Sequence, residues 1–281
     1  MTFRALGPHP TVLVTGATDG IGRETAMELA RRGARVIVHG RDAAKAEAVT
    51  AALPRRGGEP LAPLVLDLGR LADVRRAGDE LDRRGVRLDV LLHNAGIYAR
   101  TRTTTTDGFE STFGVNHLGP FALTHAIVAA EAGSTLARIV NVSSMAHARG
   151  AIVMDDLEWA RRPYDAYGAY AASKLANVLF TVEAAMRLRG RAISVNALHP
   201  GVVSTKLLTE GFGVRGGDGL AEGAATSVRL ALDADVASVT GAYFDDGRER
   251  TPAPAARDAS LARALYERSA TLTGVTPWPR S

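Results

Sequence analysis

The chain has 281 residues, 46% of them hydrophobic, with 34 basic and 30 acidic side chains and a formal net charge of +4. It has no cysteine, which excludes disulfides and thiolate metal sites. Its arginines are spread rather than clustered, which speaks against a nucleic-acid-binding stripe, and no run reaches the roughly 18 apolar residues of a membrane span.

The opening "MTFRALGPHP" lacks the apolar stretch of a signal peptide, so a soluble, cytoplasmic protein is expected. Beyond it, short β-branched runs alternate with helical patterns. "TVLVTG" (11–16) reads as a strand and 21–32 as a helix. "RVIVHG" (35–40) is followed by a helix at 42–53, and "LAPLVLDL" (61–68) by a charged helix at 71–84. "LDVLLHNAG" (88–96) precedes a helix that begins near Asp107, and "ARIVNVSS" (137–144) precedes a helix that carries Tyr170. "AISVNALHPG" (192–201) and "TGAYFDDG" (240–247) close the series. This alternation predicts a parallel sheet covered by helices on both faces, a doubly wound, Rossmann-type α/β fold. The apolar runs are nearly continuous, as expected of strands buried on both sides. No repeat or linker divides the chain. One domain is expected over 1–281, with a core at about 10–250 and a helical tail at about 255–273. "TRTTTT" (101–106) reads as a solvated loop. The glycine-rich segment 204–225 is expected to cover a pocket as a mobile lid, and its Leu207, Leu208 and Phe212 point to an apolar ligand.

"TGATDGIG" spans Thr15 to Gly22 and joins the first strand to the first helix. That is where a doubly wound sheet binds dinucleotides, because glycines permit close backbone approach and the helix start offers free N–H groups to a pyrophosphate. The spacing is GxxxGxG, so the strand before it and the helix after it carry the argument. At the end of the second strand, NAD-binding chains usually place an acid against the ribose 2′-hydroxyl. Here "VHGRD" puts Gly40 and then Arg41 in that place. A guanidinium suits a 2′-phosphate, so NADP(H) is expected over NAD(H). Asp42, which could reach the ribose from the next position, leaves the alternative open.

"YDAYGAYAASK" (164–174) offers three tyrosines and one lysine. On a helix, Tyr170 and Lys174 lie one turn apart, Tyr167 is a turn further off, and Tyr164 falls in the lead-in after Pro163. A phenol titrates near pH 10. An ammonium at roughly 4 Å, at an effective dielectric near 20, is worth about 4 kcal/mol, or about three pKa units. Tyr170 is thus the candidate general acid/base beside a nicotinamide.

With these motifs the chain resembles the short-chain dehydrogenase/reductase family, of the compact single-domain kind, over about residues 10 to 273. The motifs stand in order as "TGATDGIG", "DL" (67–68), "NAG" (94–96), "GVNHLGPF" (114–121), "VSS" (142–144), "YAASK" (170–174) and "HPGVVST" (199–205). The resemblance implies that Tyr170 is the acid/base and that Lys174 lowers its pKa and binds the nicotinamide ribose. It implies that Ser144, rather than Ser143, holds the substrate oxygen, and that Asn116 anchors a water relay behind Lys174. Gly16, Thr18, Asp19, Gly20, Ile21 and Gly22 would form the pyrophosphate turn. Asp67 would contact the adenine beside Leu68, and Asn94, Ala95 and Gly96 would line the cleft. Pro200, Gly201, Val203 and Thr205 would seat the carboxamide. Subunits of the family commonly pair through the helices of "GVNHLGPF" and "YAASK", so a homodimer or homotetramer is expected.

Ser144 and Tyr170 lie further apart than is commonest in the family. That insertion and the tail "GAYFDDGRERTPAPAARDASLARALYERSATLTG" resemble the retinol dehydrogenase-like branch. His147 and His199 flank active-site motifs without ligand spacing. The expected activity is hydride transfer between nicotinamide and an alcohol or carbonyl carbon of a small, apolar substrate. The alternative is an NADP-binding sensor without turnover, which would have no use for an acid/base.

Overall fold

Strands buried on both faces organise the sheet, with alternate side chains pointing to opposite layers. Along Thr11–Val14 (β1), Val12 and Val14 face one helical layer and Leu13 the other. A computed structural model describes residues 3–280 except 206, 212 and 214–216. In chain order the elements are β1, Gly20–Arg31 (α1), Arg35–Gly40 (β2), Ala43–Ala52 (α2), Leu64–Val65 (β3), Leu71–Arg75 (α3), Ala77–Arg83 (α4) and Val90–His93 (β4). Ser111–Phe113 (α5) runs through a π-helical turn, Gly114–Leu118, into Gly119–Ala129 (α6). Arg138–Val142 (β5), Ala166–Arg187 (α7), Ser194–His199 (β6), Leu220–Leu232 (α8), Tyr243–Asp245 (β7), Arg248–Arg250 (β8) and Ala259–Thr273 (α9) follow.

One eight-stranded sheet has the order β3-β2-β1-β4-β5-β6-β7-β8. All pairs are parallel except β7–β8. The strand order reverses between β1 and β4, and the carboxyl ends of those strands open the crevice where such sheets bind ligands. Ala26 and Leu29 of α1, Ala46 of α2 and Val228 of α8 cover one face. Leu81 of α4, Phe121 of α6, Phe180 of α7 and Tyr266 of α9 cover the other.

The expected parallel α/β sheet is present, with three differences. The last strand is antiparallel: Asp246 and Gly247 both have positive φ and turn β7 back onto β8. The segment expected as a lid ends early, since α8 begins at Leu220. Phe212, and the side chain of Leu208, lie outside the described residues. Finally, the C-terminal segment packs on the helices expected to pair subunits. α9 packs along α7, and Trp278 stacks on His125 of α6 at 3.9 Å between ring centres. Arg187 of α7 donates to the Trp278 carbonyl and pairs with Glu183 and Glu267. α9 and Trp278 thus cover part of α6 and α7. Among the described residues no helix is long and apolar enough to cross a membrane.

Candidate active site

The glycine turn is held from below by two strands. Gly16 has φ +62, and a Cβ there would come within 2.8 Å of the Ala95 Cα, so only glycine fits. Its N–H donates to His39 Nδ1 at 3.1 Å, and the Ala17 N–H donates to the His39 carbonyl at 2.9 Å. The Thr15 hydroxyl accepts the N–H groups of Asn94 and Ala95, while the Asn94 amide donates to the carbonyls of Thr15 and Gly16. Asn94 therefore braces the turn. Asp19 caps α1, its carboxylate accepting the Gly20 N–H at 2.9 Å.

A cleft of about 380 Å³ runs along the carboxyl ends of the strands. Gly16, Thr18, Asp19, Gly20, Ile21 and Gly22 form its floor at the start of α1. At one end lie Arg41, Asp67 and Leu68, the middle is walled by Asn94, Ala95 and Gly96, and Tyr170, Lys174, Pro200 and Thr205 close the other end. Gly201 and Val203 do not line it. Gly201 backs onto Asp218, and Val203 is buried against Gly223. Residues not singled out in the sequence also line the cleft, among them His39, Leu66, Ile97 and Val115. Their positions next to the expected motifs at strand ends were the available signal.

At the Arg41 end, the sequence alternatives separate. Asp42 accepts the Lys45 N–H at 3.1 Å and caps α2. Arg41 is exposed and makes no ion pair among the described residues. Gly40 lies against Thr18, whose Cγ2 would be 2.5 Å from any added Cβ.

At the other end, α7 brings Tyr170 and Lys174 together. Lys174, 3% exposed, donates to the Val142 carbonyl at 3.0 Å, and its ammonium is 5.6 Å from the centre of the Tyr170 ring. Ser143 donates its hydroxyl to the Lys174 carbonyl at 2.8 Å, a buried structural bond. Ser144, two residues past β5, is hydrogen-bonded to Tyr170. The two serines thus differ in their partners, Ser143 bonding to the Lys174 backbone and Ser144 to Tyr170. Asn116, in the π-helical turn, accepts the Ile97 N–H at 2.7 Å and donates to the Ile97 carbonyl at 2.9 Å and to Ser173 at 3.0 Å. Its side chain ties α7 to the wall of the cleft behind Gly96, and any relay to Lys174 would leave that amide where it is.

Burial pushes the Tyr170 phenol up to about 12, with the Ser144 hydrogen bond acting the other way, and pushes the Lys174 ammonium down to about 8. Contrary to what the helical spacing predicts, the protein alone thus does not lower the Tyr170 pKa toward neutral pH. Both groups lie in apolar surroundings, where the cost of charge outweighs an attraction acting from beyond the ring. The other two tyrosines of the segment stand apart. Tyr167 is 38% exposed, and Tyr164 donates to the Ala99 carbonyl at 3.0 Å and the Glu110 carboxylate at 3.1 Å.

Tyr98 and Leu207 pack on Tyr170 with Ala146 and Ala171, and the Tyr98 ring lies 5.7 Å from that of Tyr170. Among the described residues no group of three or more His, Asp or Glu is placed to hold a metal.

A glycine-floored cleft at a strand-order switch, closed by a buried Tyr–Lys pair, defines a nicotinamide-dependent oxidoreductase. Residues 10–212 match the family model described as short chain dehydrogenase. Human retinol dehydrogenase 13 is 41% identical, covering 97% of this chain and 87% of its own. A crystal structure of a protein from Mycobacterium paratuberculosis superposes with TM-score 0.81 at 36% identity, over 99% of this chain and 97% of its own. A short chain dehydrogenase from Escherichia coli CFT073 complexed with NADPH gives TM-score 0.69 at 28% identity, over 85% and 97%. The chain belongs to the short-chain dehydrogenase/reductase family and is an NAD(P)-dependent dehydrogenase acting on CH–OH groups. Within the family it falls in the retinol dehydrogenase-like branch.

Proposed function

We propose that the chain is an NADP(H)-preferring oxidoreductase that interconverts an apolar alcohol and its carbonyl compound, with Tyr170 as general acid/base. The observation that carries the reading is one cleft with Tyr170, hydrogen-bonded to Ser144, and Lys174 at one end, and at the other the Arg41 guanidinium, which makes no ion pair among the described residues. The residues present fit a dinucleotide. The glycine floor admits a backbone-hugging pyrophosphate at the start of α1. Gly96 keeps the space before Lys174 open, since a Cβ there would be 3.3 Å from the ammonium. Arg41 is placed for a 2′-phosphate, and Asp42 is already engaged as a helix cap.

The bound nicotinamide supplies the hydride chemistry, and the chain's own residues manage the proton. In reduction, Ser144 holds the substrate oxygen by a hydrogen bond, and Tyr170 gives its phenolic proton to that oxygen as the carbonyl carbon gains hydride. Lys174, charged at pH 7, stabilises the phenolate left behind and offers N–H donors to a ribose. Oxidation reverses each transfer. Tyr98 and Leu207 beside the reacting position favour an apolar substrate, and the name of retinol dehydrogenase 13 makes a retinoid-like alcohol the first to try. A panel of apolar alcohols and carbonyls assayed with both cofactors tests this. Turnover with NADPH well above NADH on an apolar carbonyl is expected, and cofactor binding without turnover on any member would refute it.

A further inference from the structure

His147 lies on the short 3-10 turn Met145–Arg149 that follows Ser144, and it is 4% exposed. Both of its ring nitrogens are engaged, with partners far apart in sequence. Nε2 accepts the Ala253 N–H at 3.1 Å, and Nδ1 lies 2.7 Å from the Ser144 carbonyl oxygen. A backbone amide can only donate, so Nε2 is bare, and the ring proton is on Nδ1, donated to the Ser144 carbonyl. Burial holds the imidazole pKa below its ordinary value, in keeping with this neutral form. Tyr243 of β7 packs on the ring at 4.7 Å between centres. The imidazole therefore joins the turn that begins with Ser144 to the chain leading into α9.

This bond bears on the Ser144 hydroxyl through rigid geometry. The peptide plane is fixed, so the direction of the Ser144 carbonyl and its ψ of 157° are one variable. Holding the carbonyl fixes how the Cα–Cβ bond of Ser144 is set relative to Tyr170. The hydroxyl also accepts the Ala146 N–H at 3.2 Å, one turn residue before His147.

We infer that His147 is a positioning residue: anchored by Ala253, it fixes the Ser144 carbonyl and so aims the Ser144 hydroxyl at the substrate oxygen. The inference rests on the proposed role of Ser144. His147 does not line the cleft and transfers no proton.

The test compares His147→Leu, His147→Gln, Ala253→Pro and Ser144→Ala, each assayed with NADPH and the best carbonyl of the panel. Ala253 has φ −53 and ψ 152, which proline adopts, so Ala253→Pro suits the backbone, removes the donor and sets its Cδ against Nε2, which displaces the imidazole. Expected is a fall in kcat of about tenfold or more for His147→Leu, the scale of a slightly misplaced group, with the NADPH Kd within about twofold of the parent. A glutamine amide can donate to one partner and accept from the other, so His147→Gln should recover most of the loss. Ala253→Pro should lower kcat in the same direction, since it displaces the imidazole. A folded His147→Leu protein with unchanged kcat, or a glutamine no better than leucine, overturns the inference. If His147→Leu does not fold, an unchanged kcat in Ala253→Pro does so. If Ser144→Ala is dead while His147→Leu is active, only the inference fails. If Ser144→Ala keeps full turnover, the role proposed for Ser144 fails first and this inference with it.

Discussion

The Lys174 ammonium donates to the Val142 carbonyl at 3.0 Å and faces the Tyr170 ring from 5.6 Å. One buried cation thus secures the end of β5 and stands behind the phenol. It is costly to keep there, and its cost and its use can be measured separately.

Lys174→Met removes that cost. Burial takes the lysine from 10.5 to about 8, so at pH 7 its charge burdens the folded state by roughly 3 kcal/mol. Below pH 8 both states are charged and the burden is complete. Between about pH 8 and 10.5 the folded protein sheds the proton while the unfolded chain keeps it, so the burden disappears as pH rises. Lys174→Met should therefore be more stable than the parent at pH 7, with the advantage shrinking toward pH 10, while turnover collapses. Urea unfolding at both pH values checks this; an advantage that does not shrink would contradict it.

Tyr170→Phe keeps the ring and removes the proton. Turnover should fall by about 10²-fold or more, with NADPH binding unchanged. Tyr167→Phe should behave as the parent. Tyr164→Phe should cost about 1 kcal/mol of stability through its bonds to Ala99 and Glu110, with turnover intact. Steady-state kinetics and thermal unfolding separate the three. A dead Tyr167→Phe protein would move the chemistry elsewhere.

Arg41→Ala should weaken NADP binding by about 1.5–3 kcal/mol, the range of a hydrogen bond to a charged group, and leave NAD binding nearly unchanged. Asp42→Ala should lower stability by about 1 kcal/mol through loss of the α2 cap, with cofactor preference intact. Calorimetric titration with both cofactors decides. Equal losses for NADP and NAD in Arg41→Ala would show that the guanidinium does not read the phosphate.

Trp278→Ala should lower stability by about 3 kcal/mol, since its ring is 8% exposed and stacks on His125. Turnover of the folded fraction should not change, because that stack lies on α6 away from the cleft. In light scattering, the parent chain should show no pairing that depends on α6 and α7. A stable dimer that dissociates on substitution of exposed α7 residues would contradict the covered surface.

Much of this was legible in the sequence because strands buried on both faces leave unbroken apolar runs, and because the motifs fall where those runs end. Gly16 to Gly22 and Arg41 could be placed by the strand ends they follow, and Tyr170 by its spacing to Lys174. Other features are set by contacts between distant segments. The bond from Ala253 to His147 joins residues that no local pattern connects. Gly201 and Val203 fit the motif in sequence but turn away toward Asp218 and Gly223. β8 has no apolar residue, so it left only the Asp246–Gly247 turn as a signal. The spacing of Tyr170 and Lys174 was readable, but the desolvation that sets their pKa values was not.

The contact between Gly40 and Thr18 constrains how cofactor choice in this chain can change. An acid at the end of β2 is the usual device for holding a free 2′-hydroxyl, yet any side chain at position 40 would drive its Cβ into the Thr18 methyl at 2.5 Å. Gly40→Asp alone should damage the turn before it could select NAD. The acid becomes admissible once the Thr18 methyl moves, by a change of rotamer or a smaller residue at 18, so the two positions are coupled. Introducing an acid at position 40 by single substitutions is therefore tied by packing to what stands at position 18.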